Sequence, residues 1–284
     1  MPDPLITVEE LRTLLPLVAR GEVSLLDVRY RLGGPAGREE FVAGHVPGAV
    51  YVDLDTDLAS SPGAGGRHPL PSSADFEAAM RRVGVGAARP VVVYDDWSAH
   101  AAARCWWLLR HHGVDDVRVL DGGWAAWRAA GAPVDTGERG LAGAEQPGDV
   151  VLVPGATAVV DAEQVAQVAQ LGVLLDARAP ERFRGEIEPI DPVAGHIPGA
   201  RNAPSSANLA DDGRFLPPEI LRERYAALGA ADPDTTTAVY CGSGVTAAHD
   251  VLAMEVAGLS AALYPGSWSE WVGDPSRPVA RGEG

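Results

Sequence analysis

Short apolar runs alternate along the chain with longer stretches of mixed polarity. Val23-Ser24-Leu25-Leu26-Asp27-Val28 and Pro90-Val91-Val92-Val93-Tyr94 are β-branched or leucine runs without polar alternation, the pattern of strands buried on both faces. Val173-Leu174-Leu175-Asp176 and Thr237-Ala238-Val239-Tyr240 have the same form. The runs ending at Tyr94 and Tyr240 are followed by predicted helices over 99–112 and 245–257. Further strands are predicted at Val117-Arg118-Val119-Leu120 and Ala261-Ala262-Leu263-Tyr264. Thr7 and Asp161 precede helix starts as N-caps. This alternation predicts an α/β fold with mainly parallel sheets flanked by helices. Ligands of such sheets bind at the carboxyl ends of strands.

The chain repeats itself. Leu25-Leu26-Asp27-Val28-Arg29 returns as Leu174-Leu175-Asp176-Ala177-Arg178. Ala43-Gly44-His45-Val46-Pro47-Gly48-Ala49 returns as Ala194-Gly195-His196-Ile197-Pro198-Gly199-Ala200. Val93-Tyr94-Asp95 matches Val239-Tyr240-Cys241, and Gly122-Gly123-Trp124 matches Gly266-Ser267-Trp268. Ordered matches at offsets of 144 to 151 residues make the chain two copies of one domain. The expected domains are residues 1–135 and 156–284. Between them, the glycine-rich residues 136–155 predict an exposed, extended linker.

Of the 284 residues, 46% are apolar and 22% charged, a globular composition. The net charge of −16 argues against nucleic acid or an anionic membrane as partner. All 23 basic residues are arginine, which excludes Schiff-base lysine chemistry, a P-loop lysine and pyridoxal phosphate linkage. No cofactor or metal is expected. No run reaches the roughly 18 apolar residues of a membrane span. Met1-Pro2-Asp3-Pro4 opens no basic-then-apolar signal, so a cytoplasmic location is expected. Cys105 and Cys241 fall in opposite copies, and each is read as a free thiol.

Cys241 follows a predicted strand and opens Cys241-Gly242-Ser243-Gly244-Val245-Thr246, which leads into a helix. Gly242 and Gly244 allow successive N–H groups to converge on one point, and the helix presents its positive end there. Such a setting stabilises a thiolate. A phosphatase of the Cys-x5-Arg type is excluded because Ala247 occupies the arginine position, leaving phosphate without its bidentate partner. Cys105, in Arg104-Cys105-Trp106-Trp107, is read as a packing residue of a helix.

The Asp-x-Arg strand ends, the paired Gly-His-[Val/Ile]-Pro-Gly-Ala segments, the Gly-x-Trp motifs and the cysteine loop together resemble the tandem-domain rhodanese family. This family comprises the thiosulfate and 3-mercaptopyruvate sulfurtransferases, and the resemblance covers nearly the full length. It implies two rhodanese-like domains, with the C-terminal copy catalytic and the N-terminal copy inactive; Asp95 stands at the N-terminal counterpart of Cys241. It also implies that Cys241 attacks the donor's outer sulfur, becomes a persulfide and passes the sulfur to a thiol, thioredoxin or cyanide. His45 and His196 recur in both copies, which favours a structural role: a ring hydrogen bond to the backbone of the Pro-Gly turn. Arg178, matched by Arg29 in the inactive copy, is read as an ion pair with Asp176.

Donor choice turns on the loop. Thiosulfate-preferring members place cations beside the sulfur, where this chain has Gly242 and Ser243. Cys-Gly-Ser-Gly-Val-Thr resembles the mercaptopyruvate version, with Gly242, Gly244, Val245 and Thr246 as substrate-binding loop residues. In that version Ser243 works with a histidine and an aspartate as a proton relay; His68 and Asp55 are the candidates, with Asp53 and Asp57 as close alternatives. Arg182 matches the arginine that holds the donor carboxylate. A second arginine is usual nine residues on, where this chain has Asp191, so that Arg184 substituting for it and thiosulfate as donor both stay open. Readings from other classes are a persulfide carrier with little small-molecule turnover and a non-catalytic binding module.

Overall fold

The continuous apolar runs form the centres of two parallel sheets. The computed structural model describes residues 3–31 and 33–283; Met1 and Pro2, on which the reading of the N-terminus drew, lie outside the described residues, as do Leu32 and Gly284. The chain divides into two units. Unit 1 comprises Met1–Ser60, Pro71–Ala156 and Asp212–Arg214; unit 2 comprises Ser61–Leu70, Thr157–Asp211 and Phe215–Gly284. The stretch Ser61–Leu70, which precedes the linker in sequence, is thus part of unit 2.

In unit 1, strands β1 (Leu5–Ile6), β2 (Ser24–Asp27), β3 (Val50–Tyr51), β4 (Val91–Tyr94) and β5 (Val117–Leu120) form one sheet in the order β1-β5-β4-β2-β3. In unit 2, β6 (Val173–Asp176), β7 (Arg201–Asn202), β8 (Thr237–Tyr240) and β9 (Ala262–Leu263) follow the order β7-β6-β8-β9. Every pairing is parallel. The central strands β2, β4, β6 and β8 are buried at each position, which is why they read as unbroken apolar runs. The unit 2 counterpart of β1 is reduced to a bridge between Val159 and Leu263.

Helices follow β4 and β8 at His100–His111 and Val245–Val256. Thr7 and Asp161 cap Val8–Ala19 and Ala162–Leu171, each within a reciprocal capping box. Leu11, Phe41 and Trp127 lie in a core of unit 1, and Val165, Leu174 and Trp268 in one of unit 2.

The same polar lock recurs at the end of each central strand pair. Arg29 meets Asp27 at 2.7 Å, and Arg178 meets Asp176 at 2.6 Å, all buried. The Arg178 guanidinium lies 4.6 Å from the Trp268 ring centre and the Arg29 guanidinium 5.0 Å from that of Trp124. Tyr94 and Tyr240 accept hydrogen bonds through their hydroxyls from the N–H groups of Val46 (3.0 Å) and Ile197 (3.1 Å). These contacts explain why the Asp-x-Arg segments and the histidine turns repeat together.

Two expectations need correction. The His45 and His196 rings hydrogen-bond not the Pro-Gly turn but the carbonyls of Phe41 and Phe183, each at 2.8 Å, and stack on those phenylalanines. The stacking fixes the ring plane, which aims Nδ1 back at the preceding helix. Residues 136–155 are largely exposed, as expected, but they are anchored rather than a free tether. Gly137 N–H donates to Val42 O, Gly148 N–H to Arg81 O and Leu152 N–H to Glu77, while Leu141, Val150 and Leu152 are buried. The glycines permit close approach: a Cβ on Gly148 would lie 1.8 Å from Val85 O.

Candidate active site

Past Tyr240 the chain turns through Cys241–Gly244 into the helix Val245–Val256. Cys241 is 2% exposed, and the Gly244 N–H donates to its Sγ at 3.2 Å. Gly244 has φ of +78°, and a Cβ there would lie 2.3 Å from the carbonyl oxygen of Pro265. Only glycine fits. Gly242 serves differently from the expectation, because its backbone is not left-handed. What it provides is space: a Cβ on it would lie 2.8 Å from Nη2 of Arg67, and 3.7 and 3.8 Å from the guanidinium nitrogens of Arg182. Val245 is buried and Thr246 half-buried at the helix start.

The neighbouring segment clamps this turn. Cys241 N–H donates to Ser267 Oγ at 3.0 Å, and the Ser267 hydroxyl donates to Tyr264 O at 2.9 Å. Trp268 N–H donates to Cys241 O and Ser269 N–H to Gly242 O, both at 2.9 Å. Ser267 adopts φ of +54°, a left-handed conformation that a non-glycine residue holds under strain. Its counterpart Gly123 has the same φ.

His68 and Ser243 are brought together: His68 Nδ1 is 2.7 Å from Ser243 Oγ. Asp55 lies in the four-residue helix Leu54–Asp57 of unit 1 and is exposed. Its alternatives are committed locally. Asp53 caps that helix, and Asp57 pairs with Arg82 at 2.6 Å.

The arginines around the loop are tied to carboxylates. Arg182 meets Glu188 at 2.6 Å and Asp191 at 3.4 Å, and Arg178 also reaches Glu188 at 3.4 Å. Arg67 pairs with Asp191. Burial pushes the Asp191 carboxyl up, with Arg67 opposing. Arg182, expected to hold the donor carboxylate, is thus shared between two carboxylates of the protein itself. Arg184 pairs with the exposed Glu186 at 2.7 Å. Sequence reasoning missed Arg67, Glu188 and Ser267. Arg67 directly precedes the candidate His68, and Ser267 stands in the repeated Gly-x-Trp motif; these were the available signals.

The corresponding loop of unit 1 carries a carboxyl group of its own. Asp95 accepts N–H groups of Trp97 and Ala99 on Oδ1 and of Ala101 and Ala102 on Oδ2, at 2.8–2.9 Å. Burial pushes this carboxyl up, while the N–H donors pull it down. Two N–H donors converge on each oxygen. Cys105 is fully buried within the helix His100–His111, and burial pushes its thiol up.

Comparison with known proteins gives the family. The model of the Rhodanese-like domain matches residues 8–130 and again 160–274. The chain belongs to the rhodanese family. It is a tandem-domain rhodanese sulfurtransferase. A Mycobacterium tuberculosis (strain H37Rv) protein named "Putative thiosulfate sulfurtransferase SseB" is 50% identical over 98% of this chain and 97% of its own. A Pseudomonas aeruginosa protein named "Probable 3-mercaptopyruvate sulfurtransferase" is 47% identical over 96% of this chain and 99% of its own. The crystal structure of SseA from Escherichia coli, titled as a 3-mercaptopyruvate sulfotransferase, superposes with a TM-score of 0.80 at 30% identity, covering 94% of this chain and 99% of its own. Among the described residues no helix is long and apolar enough to cross a membrane.

Proposed function

We propose that this sulfurtransferase takes its sulfur from 3-mercaptopyruvate through a persulfide on Cys241 and delivers it to a thiol such as thioredoxin, or to cyanide. The observation that carries the reading is the 2.7 Å contact between His68 Nδ1 and Ser243 Oγ, two residues after the cysteine. The Cys241 thiolate attacks the donor sulfur, forming an S–S bond as the carbon–sulfur bond breaks. The released electron pair becomes pyruvate enolate, which needs a proton. Ser243, backed by the His68 imidazole, is placed to control it. Sulfite leaving thiosulfate has no such need. Gly244, Val245 and Thr246 present the loop and helix start to the developing sulfur charge. Two free thiols suit a reducing compartment and support a cytoplasmic location.

Thiosulfate as donor is the second reading, favoured by the name of the Mycobacterium tuberculosis relative and by the guanidinium groups of Arg67 and Arg182 near Gly242. Steady-state kinetics with both donors decides between them. The expected result is a kcat/KM for mercaptopyruvate at least about tenfold higher, a difference of ~1.4 kcal/mol. A preference for thiosulfate would overturn the donor assignment. After donor treatment, mass spectrometry should find a gain of about 32 Da on Cys241. Added sulfur on Cys105 would overturn the nucleophile assignment.

A further inference from the structure

Arg67 lies against the cysteine loop, yet the mercaptopyruvate reading as it stands gives it no task. Its backbone N–H donates to Ser269 Oγ at 3.1 Å, which ties this residue to the segment clamping Cys241 and Gly242. Its side chain, 27% exposed, puts Nη1 on the carboxylate of Asp191 and brings Nη2 within 2.8 Å of the point where a Cβ on Gly242 would stand. Arg182 lies farther from that point, and its guanidinium is shared between Glu188 and Asp191.

We propose that Arg67 is the residue that receives the carboxylate of the sulfur donor, with Asp191 holding its guanidinium in place. The inference rests on the persulfide reading of Cys241 and refines it. The sequence pattern suggested a cation at position 191, where an aspartate stands. The ion pair resolves the departure: Asp191 recruits a guanidinium from the stretch Ser61–Leu70, so the positive charge reaches the loop from the other side of the pair. Nη1 is anchored, and Nη2 is directed over Gly242, one residue from the sulfur. A guanidinium held by one edge presents its remaining N–H donors in a fixed plane, a geometry suited to a planar carboxylate. Gly242 keeps that approach open, because any side chain there would displace Nη2.

The test uses two independent probes on the full chain. The first is the rate of Cys241 alkylation by iodoacetate, which carries a carboxylate, divided by the rate with neutral iodoacetamide. Arg67→Ala should lower this ratio by about fivefold or more, with iodoacetamide little changed. The second is steady-state kinetics. Arg67→Ala should raise KM for mercaptopyruvate about tenfold while kcat stays within about threefold, the signature of lost donor binding. The charge exchange Arg67→Asp with Asp191→Arg should restore both readouts, which a merely structural salt bridge would not require of the alkylation ratio. Thermal melts of each variant confirm that folded protein is compared. An unchanged ratio and KM in Arg67→Ala overturn the proposal. So does a loss confined to thiosulfate, or a fallen ratio without a rise in KM. A wild-type protein that transfers sulfur from neither donor, with the ratio still falling in Arg67→Ala, defeats the functional reading and supports the placement of charge at the loop.

Discussion

His68 Nδ1 and Ser243 Oγ lie 2.7 Å apart, joining the stretch Ser61–Leu70 to the loop that carries Cys241. A hydroxyl and an imidazole at this distance share one proton, so removal of either breaks the same relay. Ser243→Ala and His68→Ala should each lower kcat for mercaptopyruvate by about a hundredfold, and the double variant should be little worse than the more severe single. Thiosulfate turnover should suffer less. Initial-rate measurements with both donors check this, and equal losses with the two would remove the relay from the mechanism.

Ser267 bridges Cys241 N–H and Tyr264 O while holding a left-handed backbone. Ser267→Ala keeps the strain and strands a buried N–H, so it should cost about 1–3 kcal/mol and reduce sulfur transfer. Ser267→Gly relieves the strain and should be the more stable of the two. Urea unfolding of both variants reads the order directly.

Cys105 and Cys241 should separate stability from chemistry. Cys105→Ser puts a hydroxyl into a fully buried helix position and should destabilise by about 1–3 kcal/mol while transfer persists. Cys241→Ser should abolish transfer. Denaturation midpoints alongside donor assays test the pair.

The unit 1 loop yields a stability prediction. Asp95→Ala leaves four N–H donors, three of them buried, without an acceptor and should cost about 3 kcal/mol or more, with a corresponding fall in the denaturant midpoint. Retention of wild-type stability would mean that the loop rearranges freely.

His112 supplies the pH dependence. Burial lowers its pKa, with the carbonyl of Leu108 opposing, and Nε2 lies 3.2 Å from Ser73 Oγ. The folded state therefore binds a proton less readily than the unfolded chain. Stability should be full above the ordinary histidine range and fall as pH drops below about 6.5. The melting temperature of His112→Gln should fall less between pH 7 and pH 5 than that of the wild type.

The legible parts of the fold were those written as local pattern. β4 and β8 appeared because burial on both faces leaves unbroken apolar runs, and the paired helices because Thr7 and Asp161 carry capping chemistry. Strands β1, β3 and β7 have two residues each, too few to show any period. At the site, the cysteine loop could be read from its glycines and the following helix. Arg67 and Asp191 could not: they are separated by 124 residues, and no local spacing announces that two opposite charges will meet. The true acceptors of His45 and His196 were hidden for a related reason, since ring stacking on a phenylalanine decides where Nδ1 points.

Asp95 has one further consequence, for the difference between the two loops. Its carboxyl group is tethered to the backbone that it binds, so contact with the four N–H groups is intramolecular and independent of the concentration of any dissolved anion. The unit 1 loop is thereby a cradle already filled by part of itself. In unit 2 the same turn carries the Cys241 sulfur, which accepts the N–H of Gly244. A single side chain thus sets how much of the cradle is taken.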